Sequence, residues 1–266
     1  NLMTVRISKD IGLRKILNLS RELQIYQDIP ELLSVSLGSA ETTLLKITSA
    51  YASFANGGKK IEPVLIERIQ DRRGKTIYNS DKRTCVGCDQ YLSSSEKFPK
   101  IKDNYKKVFS EETAYQITSI LEGVVKRGTG KKLRDMKVPI AGKTGTTNNN
   151  YDAWFIGYTS NLVIGVYVGF DSPESLGKYE TGSKAALPIF KNFIKKSLFK
   201  DDFQQFKIPN GIYFSPINYD TGKLENFDHP KSIIEAFKLR DIQSTKNNNL
   251  EIRGNYDRLI KFRQFY

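Results

Sequence analysis

One lysine, two glycines and three hydroxyls crowd into Gly142-Lys143-Thr144-Gly145-Thr146-Thr147, shortly before the chain's only tryptophan, Trp154. A phosphate-binding P-loop needs a longer glycine-spaced turn before Gly-Lys-Thr and a helix after it. Here no glycine stands at the first loop position and strand-like sequence follows, which excludes nucleotide chemistry. The physical alternative to ordinary hairpin sequence is a strand edge that presents an ammonium and two hydroxyls to a carboxylate-bearing substrate. Lys143 supplies the charge; at about 4 Å and an effective dielectric near 20 the attraction is about 4 kcal/mol. Thr144 and Thr146 fall on one strand face, because strand side chains repeat every two residues. Gly145 leaves room for a substrate backbone. The Thr146 amide would serve as half of an oxyanion hole, a donor whose loss typically costs about 10²–10³ in rate.

The elements that must hold this segment are legible around it. Ser110 caps a helix over "EETAYQITSILEGVVKRGTG", with Glu111 and Glu112 in its first turn and Lys126 and Arg127 in its last, matching the helix dipole. Three strands follow, 138–146, 153–159 and 162–170, separated by turn sequence, then a helix from Ala186 to Phe199. Upstream, Ile11, Ile16, Leu19 and Leu23 place a helix within 10–27, and Leu44, Ile47, Tyr51 and Phe54 place another that starts at Glu41-Thr42 and closes on Gly57-Gly58. Two short strands within 63–78 meet at Arg73-Gly74, and 80–105 reads as a polar surface excursion. Beyond Asp201 the chain reads as an irregular extension, 201–266, in which Ile233, Ile234, Phe237 and Leu239 predict one short helix and the last residues are expected to be mobile. The pattern predicts an α+β fold, an antiparallel sheet flanked by helices, with residues 1–200 as the main domain.

Composition bounds the rest. The 266 residues are 39% hydrophobic, enough for a sizeable core, and carry a formal net charge of +13. The lysines are spread along the chain among many Asn and Ile, and no RNA-recognition, zinc-finger or helix-turn-helix signature accompanies them, so nucleic acid is not the expected partner. Mean hydropathy is −0.45, and the longest nearly apolar run, 161–170, is too short to span a bilayer. The first residue is Asn1 rather than methionine, and a fragment is expected. Cys85 and Cys88 lack two further ligands for zinc and sit in polar, loop-like sequence. A local disulfide in an oxidising compartment fits best; a pair of free thiols is the other reading.

Taken together, "GKTGTT", "YDAWFIGYT", "GVYVGFDSP" and "GSKAALPIF" resemble the transpeptidase domain of class A, bifunctional penicillin-binding proteins, which share the serine β-lactamase fold. "VVKRGTGKKL" and "SLGSAETTLLKITSAYASFANGGKKIEPVLI" extend the resemblance over roughly residues 1–230 in a consistent order. "AALP" in place of Ala-Ala-Pro, and the C-terminal tail, depart from the family pattern.

The family needs a Ser-x-x-Lys nucleophile. Ser94, Ser175 and Ser197 each head such a pattern, but about two matches are expected by chance in so lysine-rich a chain, and none stands well before the Lys-Thr-Gly strand at the start of a buried helix. No Ser-x-Asn occurs either; the resemblance aligns Asn1 with that motif's last residue. It therefore implies that the nucleophile lies upstream of residue 1 and that this chain is inert alone, since losing such a serine typically costs about 10⁶ in turnover.

For the intact protein the resemblance implies D,D-transpeptidation. Lys143, Thr146 and Asn1 would be catalytic, and Thr144, Gly145 and Thr147 would bind substrate. Peptidoglycan stem peptides and β-lactams are the implied ligands, with other cell-wall synthesis proteins as partners and no metal or organic cofactor. A membrane anchor and a glycosyltransferase domain would precede the chain, at the periplasmic face of the inner membrane. Trp154 reads as a packing anchor, Asp152 as the end of a turn, and Thr129 as shaping the helix-to-strand passage. The rival readings are a penicillin sensor or serine β-lactamase, and a non-enzymatic module binding anionic polymer.

Overall fold

The computed structural model describes residues 1–86, 88, 100–197 and 204–239. They fall into two compact units, Asn1–Val108 and Phe109–Tyr266.

In the first unit the expected single helix is two. α1 (Leu2–Ile11) and α2 (Leu13–Glu22) are separated at Gly12, whose φ of 94° lies in the left-handed region that glycine enters without strain. The first helix starts earlier than its apolar spacing predicts. α3 (Leu44–Ala55) begins two or three residues later than Glu41-Thr42, because Thr43 is the cap: its hydroxyl accepts from the Lys46 amide. β1 (Arg68–Gln70) and β2 (Thr76–Asn79) form the expected hairpin, with the Asp71 carboxylate accepting from the amides of Arg73 and Lys75. β3 (Thr84–Val86) pairs with β4 (Lys100–Lys102), and residues 81–86, 88 and 100–105 are exposed. Cys85 and Cys88 form the disulfide, Cα to Cα 5.8 Å.

The second unit is built on α4 (Glu111–Lys126). The Ser110 hydroxyl accepts from the Thr113 amide at 3.2 Å, and Glu111 and Glu112 occupy the first turn as the sequence requires. β5 (Ala141–Thr146), β6 (Asp152–Tyr158) and β7 (Val163–Gly169) make an antiparallel meander in that order. A π-helical turn, Gly182–Ala186, leads into α5 (Leu187–Ser197). The core lies between the sheet and α5: Phe155 and Phe190 meet edge to face at 4.7 Å, among Val125, Leu133, Ile140, Val166, Leu187 and Ile194.

The expectation of irregular chain and one helix beyond Asp201 is overturned. β8 (Ile212–Asn218) pairs with β9 (Ser232–Lys238), from Ile212 opposite Lys238 to Asn218 opposite Ser232. The spacing of Ile233, Ile234 and Phe237 misled because both faces of the hairpin carry apolar contacts. Phe237 meets Tyr213 across the strands at 5.5 Å, while Phe214, on the other face, meets Tyr115 of α4 at 6.2 Å. The last residues, expected to be mobile, lie outside the described residues. No helix among the described residues is long and apolar enough to cross a membrane.

Candidate active site

β5 is the outer strand of its sheet among the described residues, and its register decides what faces outward. The Thr147 amide donates to Asp152 O at 3.1 Å, so this pair is hydrogen-bonded. In an antiparallel ladder bonded and non-bonded pairs alternate. The pairs Thr146–Ala153 and Thr144–Phe155 are therefore non-bonded, and the N–H and C=O of Thr144 and Thr146 point away from β6, to the open edge.

The side chains divide between the two faces. Lys143 and Gly145 share a face with Ile156, Trp154 and Tyr167, while Thr144 and Thr146 share the opposite face with Phe155 and Ala153. Thr144 and Thr146 thus fall on one face, as the two-residue repeat requires. The Lys143 ammonium donates to Thr144 O at 2.8 Å, using one of the outward-facing carbonyls. Lys143 is exposed as a whole residue, yet desolvation of the ammonium holds its pKa below the ordinary lysine value.

Both threonine hydroxyls are engaged from behind. Thr146 Oγ1 accepts from the Gly182 amide at 3.0 Å, and Thr144 Oγ1 lies 2.7 Å from Thr129 Oγ1. Gly182 sits directly on the strand backbone: a Cβ there would lie 2.4 Å from Trp154 O and 2.5 Å from Gly145 O. Only glycine allows this approach. Gly145 has a related constraint, since its Cβ would meet Trp154 Cβ at 3.1 Å. Thr147 closes the turn after the strand, its hydroxyl accepting from the Asp152 amide at 2.7 Å, so Asp152 does end that turn. The Asp152 carboxylate accepts from Tyr167 Oη at 2.9 Å, and Trp154 packs on Tyr167 at 4.7 Å.

The fold therefore gathers Lys143, Thr144, Gly145, Thr146 and Thr147 along one strand and its turn. Asn1 belongs to the other unit, where it precedes α1 as an N-cap without a side-chain cap bond. Of the Ser-x-x-Lys serines, Ser175 sits in a loop and donates to Asn149 O at 2.8 Å, and Ser197 ends α5. Ser94 lies outside the described residues. Sequence reasoning missed Gly182 as a partner of Thr146 and gave Thr129 only a backbone role. Gly182 had a signal, the glycine of "GSKAALP", but its meaning needed the fold. Among the described residues no group of three or more His, Cys, Asp or Glu side chains is placed to hold a metal ion.

Residues 20–195 match the penicillin binding protein transpeptidase domain. Penicillin-binding protein 1A of Rickettsia prowazekii is 42% identical over 252 residues, covering 93% of this chain and 31% of the relative. A crystal structure of penicillin-binding protein 1A from Haemophilus influenzae superposes with a TM-score of 0.74 at 30% identity, over 89% of this chain and 38% of that one. The PonA1 protein of Mycobacterium tuberculosis in complex with penicillin V shares the fold, with a TM-score of 0.58 at 21% identity over 75% of this chain and 53% of that one. The chain spans about a third of the length of the curated relatives it matches.

Proposed function

The chain belongs to the penicillin-binding protein transpeptidase family, and from that premise we propose that it carries the carboxylate-binding strand of a peptidoglycan D,D-transpeptidase of the class A, bifunctional kind. The observation that carries this reading is the open edge of β5, where the N–H and C=O of Thr144 and Thr146 point outward and the Lys143 ammonium donates to Thr144 O.

In this reading a serine outside residues 1–266 attacks the carbonyl of a D-Ala-D-Ala stem peptide. The C–N bond breaks, D-alanine leaves with the proton, and an acyl-serine ester remains. An amine of a neighbouring stem then attacks the ester, forming the cross-link and returning the serine hydroxyl. The Thr146 amide holds the oxyanion of each tetrahedral intermediate. Lys143 draws in the terminal carboxylate, Thr144 and Thr146 bind it, and Gly145 and Thr147 let the substrate backbone lie along the strand. Asn1 takes the place of the asparagine that binds the donor amide. A β-lactam enters as an analogue of the same dipeptide.

The whole protein, on this reading, works at the periplasmic face of the inner membrane. A membrane anchor and a glycosyltransferase domain lie in sequence other than this chain, and its partners are peptidoglycan and other cell-wall synthesis proteins. Ser94, Ser175 and Ser197 are not nucleophiles.

The test is intact-mass spectrometry after incubation with a penicillin, on residues 1–266 and on a protein extended upstream through a Ser-x-x-Lys motif. A stable adduct on the extended protein alone is expected. An adduct on the short chain would place the nucleophile within it and overturn the assignment of the serines. Rapid release of penicilloate by the extended protein would make it a β-lactamase instead.

A further inference from the structure

Gly128-Thr129-Gly130 follows the last turn of α4, and both glycine amides donate to one carbonyl, Val124 O, at 3.0 Å each. A side chain at either glycine would be crowded against the helix backbone. A Cβ at 128 would lie 3.0 Å from Val124 O and 3.1 Å from Val124 Cα; one at 130 would lie 3.2 Å from Val124 O and 3.3 Å from Val125 Cα. The turn is thereby clamped to the helix end, and Thr129 is its one side chain. That side chain reaches β5, its hydroxyl 2.7 Å from the Thr144 hydroxyl.

A threonine hydroxyl has one hydrogen and two lone pairs. When Thr129 donates to Thr144, the Thr144 hydrogen is left for a third group. A carboxylate only accepts, so a bound carboxylate selects this orientation of the pair. We infer that Thr129 is a positioning residue of the carboxylate subsite, donating to Thr144 and so directing the Thr144 hydrogen to the carboxylate of a stem peptide or β-lactam. The inference rests on the transpeptidase reading above.

The experiment measures acylation rates of the upstream-extended protein with a penicillin and with its methyl ester, which lacks the carboxylate charge. Thr129→Val is expected to slow the acid about fivefold, the worth of one ordinary hydrogen bond, and to leave the ester unchanged. Thr129→Ser keeps the hydroxyl and should match the parent. Thr129→Val combined with Thr144→Val should be no slower than Thr144→Val alone, because the two hydroxyls act in series. Equal slowing of acid and ester, or a Thr129→Ser variant as slow as Thr129→Val, would mean that the turn is only structural and would overturn the inference. Absence of any adduct on the parent protein would instead overturn the transpeptidase reading, and this inference with it.

Discussion

The two units solve the burial problem to different degrees. In Phe109–Tyr266 the sheet and α5 enclose a contiguous core with Phe155, Phe190 and Leu187 at 0% exposure. In Asn1–Val108 the buried apolar side chains among the described residues are Leu17, Leu23 and Ala50, whereas Leu2, Met3, Ile7, Ile11, Leu45 and Leu65 are exposed, the last at 98%. Leu2, Met3, Ile7 and Ile11 stand together on α1, so this unit has helices with apolar faces but little for those faces to pack on. The difference teaches where rigidity is available. The strand that carries Lys143 to Thr146 belongs to the unit that closes its own core, and a binding edge needs that support.

Substitutions can break this contrast. The largest loss is expected at Phe190→Ala, about 3–5 kcal/mol by urea unfolding, because the cavity opens between fixed neighbours. A loss below about 1 kcal/mol would mean that the sheet–helix core is not the stabilising centre. Gly182→Ala comes next, at about 3 kcal/mol, since its Cβ meets backbone oxygens that cannot swing aside. The same variant should displace the amide from Thr146 and weaken penicillin acylation in the extended protein. In the first unit Leu17→Ala should cost only about 2 kcal/mol, the low end for a fully buried leucine, because a sparse core collapses around the gap. Leu65→Ser, at the exposed extreme, should move stability by less than about 0.5 kcal/mol. If those two variants cost the same, the contrast between buried and exposed positions in this unit fails.

The smallest effect concerns Lys143, and its sign follows from desolvation. The folded pKa is lowered, so the unfolded chain holds this proton more tightly. Stability should therefore rise as pH climbs through the folded value toward the unfolded one. Lys143→Met should remove that rise and leave neutral-pH stability no lower. Thermal melts across alkaline pH read both, and an unchanged slope in the variant would show that Lys143 is not the desolvated group.

Much of this was written locally. The Ser110 cap and the acids after it start α4, and the Asn-rich turn before Asp152 separates β5 from β6 within a residue or two of the expected ends. Lys143, Thr144, Gly145, Thr146 and Thr147 are neighbours in sequence, so their gathering on one strand and its turn needed only the two-residue repeat. Cys85 and Cys88 are three residues apart, and their pairing was also a local matter. Gly12 was visible too, but a lone glycine tells neither which φ it adopts nor whether a helix passes through it.

What the sequence did not contain was the second partner of each contact. β9 is a strand because β8 offers it a ladder and α4 covers one face, and apolar spacing alone fits a helix as well. Thr129 reaches Thr144 across 15 residues and Gly182 reaches Thr146 across 36, distances at which no pattern of spacing carries information. Local propensity is set by each residue's own backbone and neighbours. Which hydroxyl stands behind which is set by how the helix ends pack on the sheet, and only the folded chain decides that.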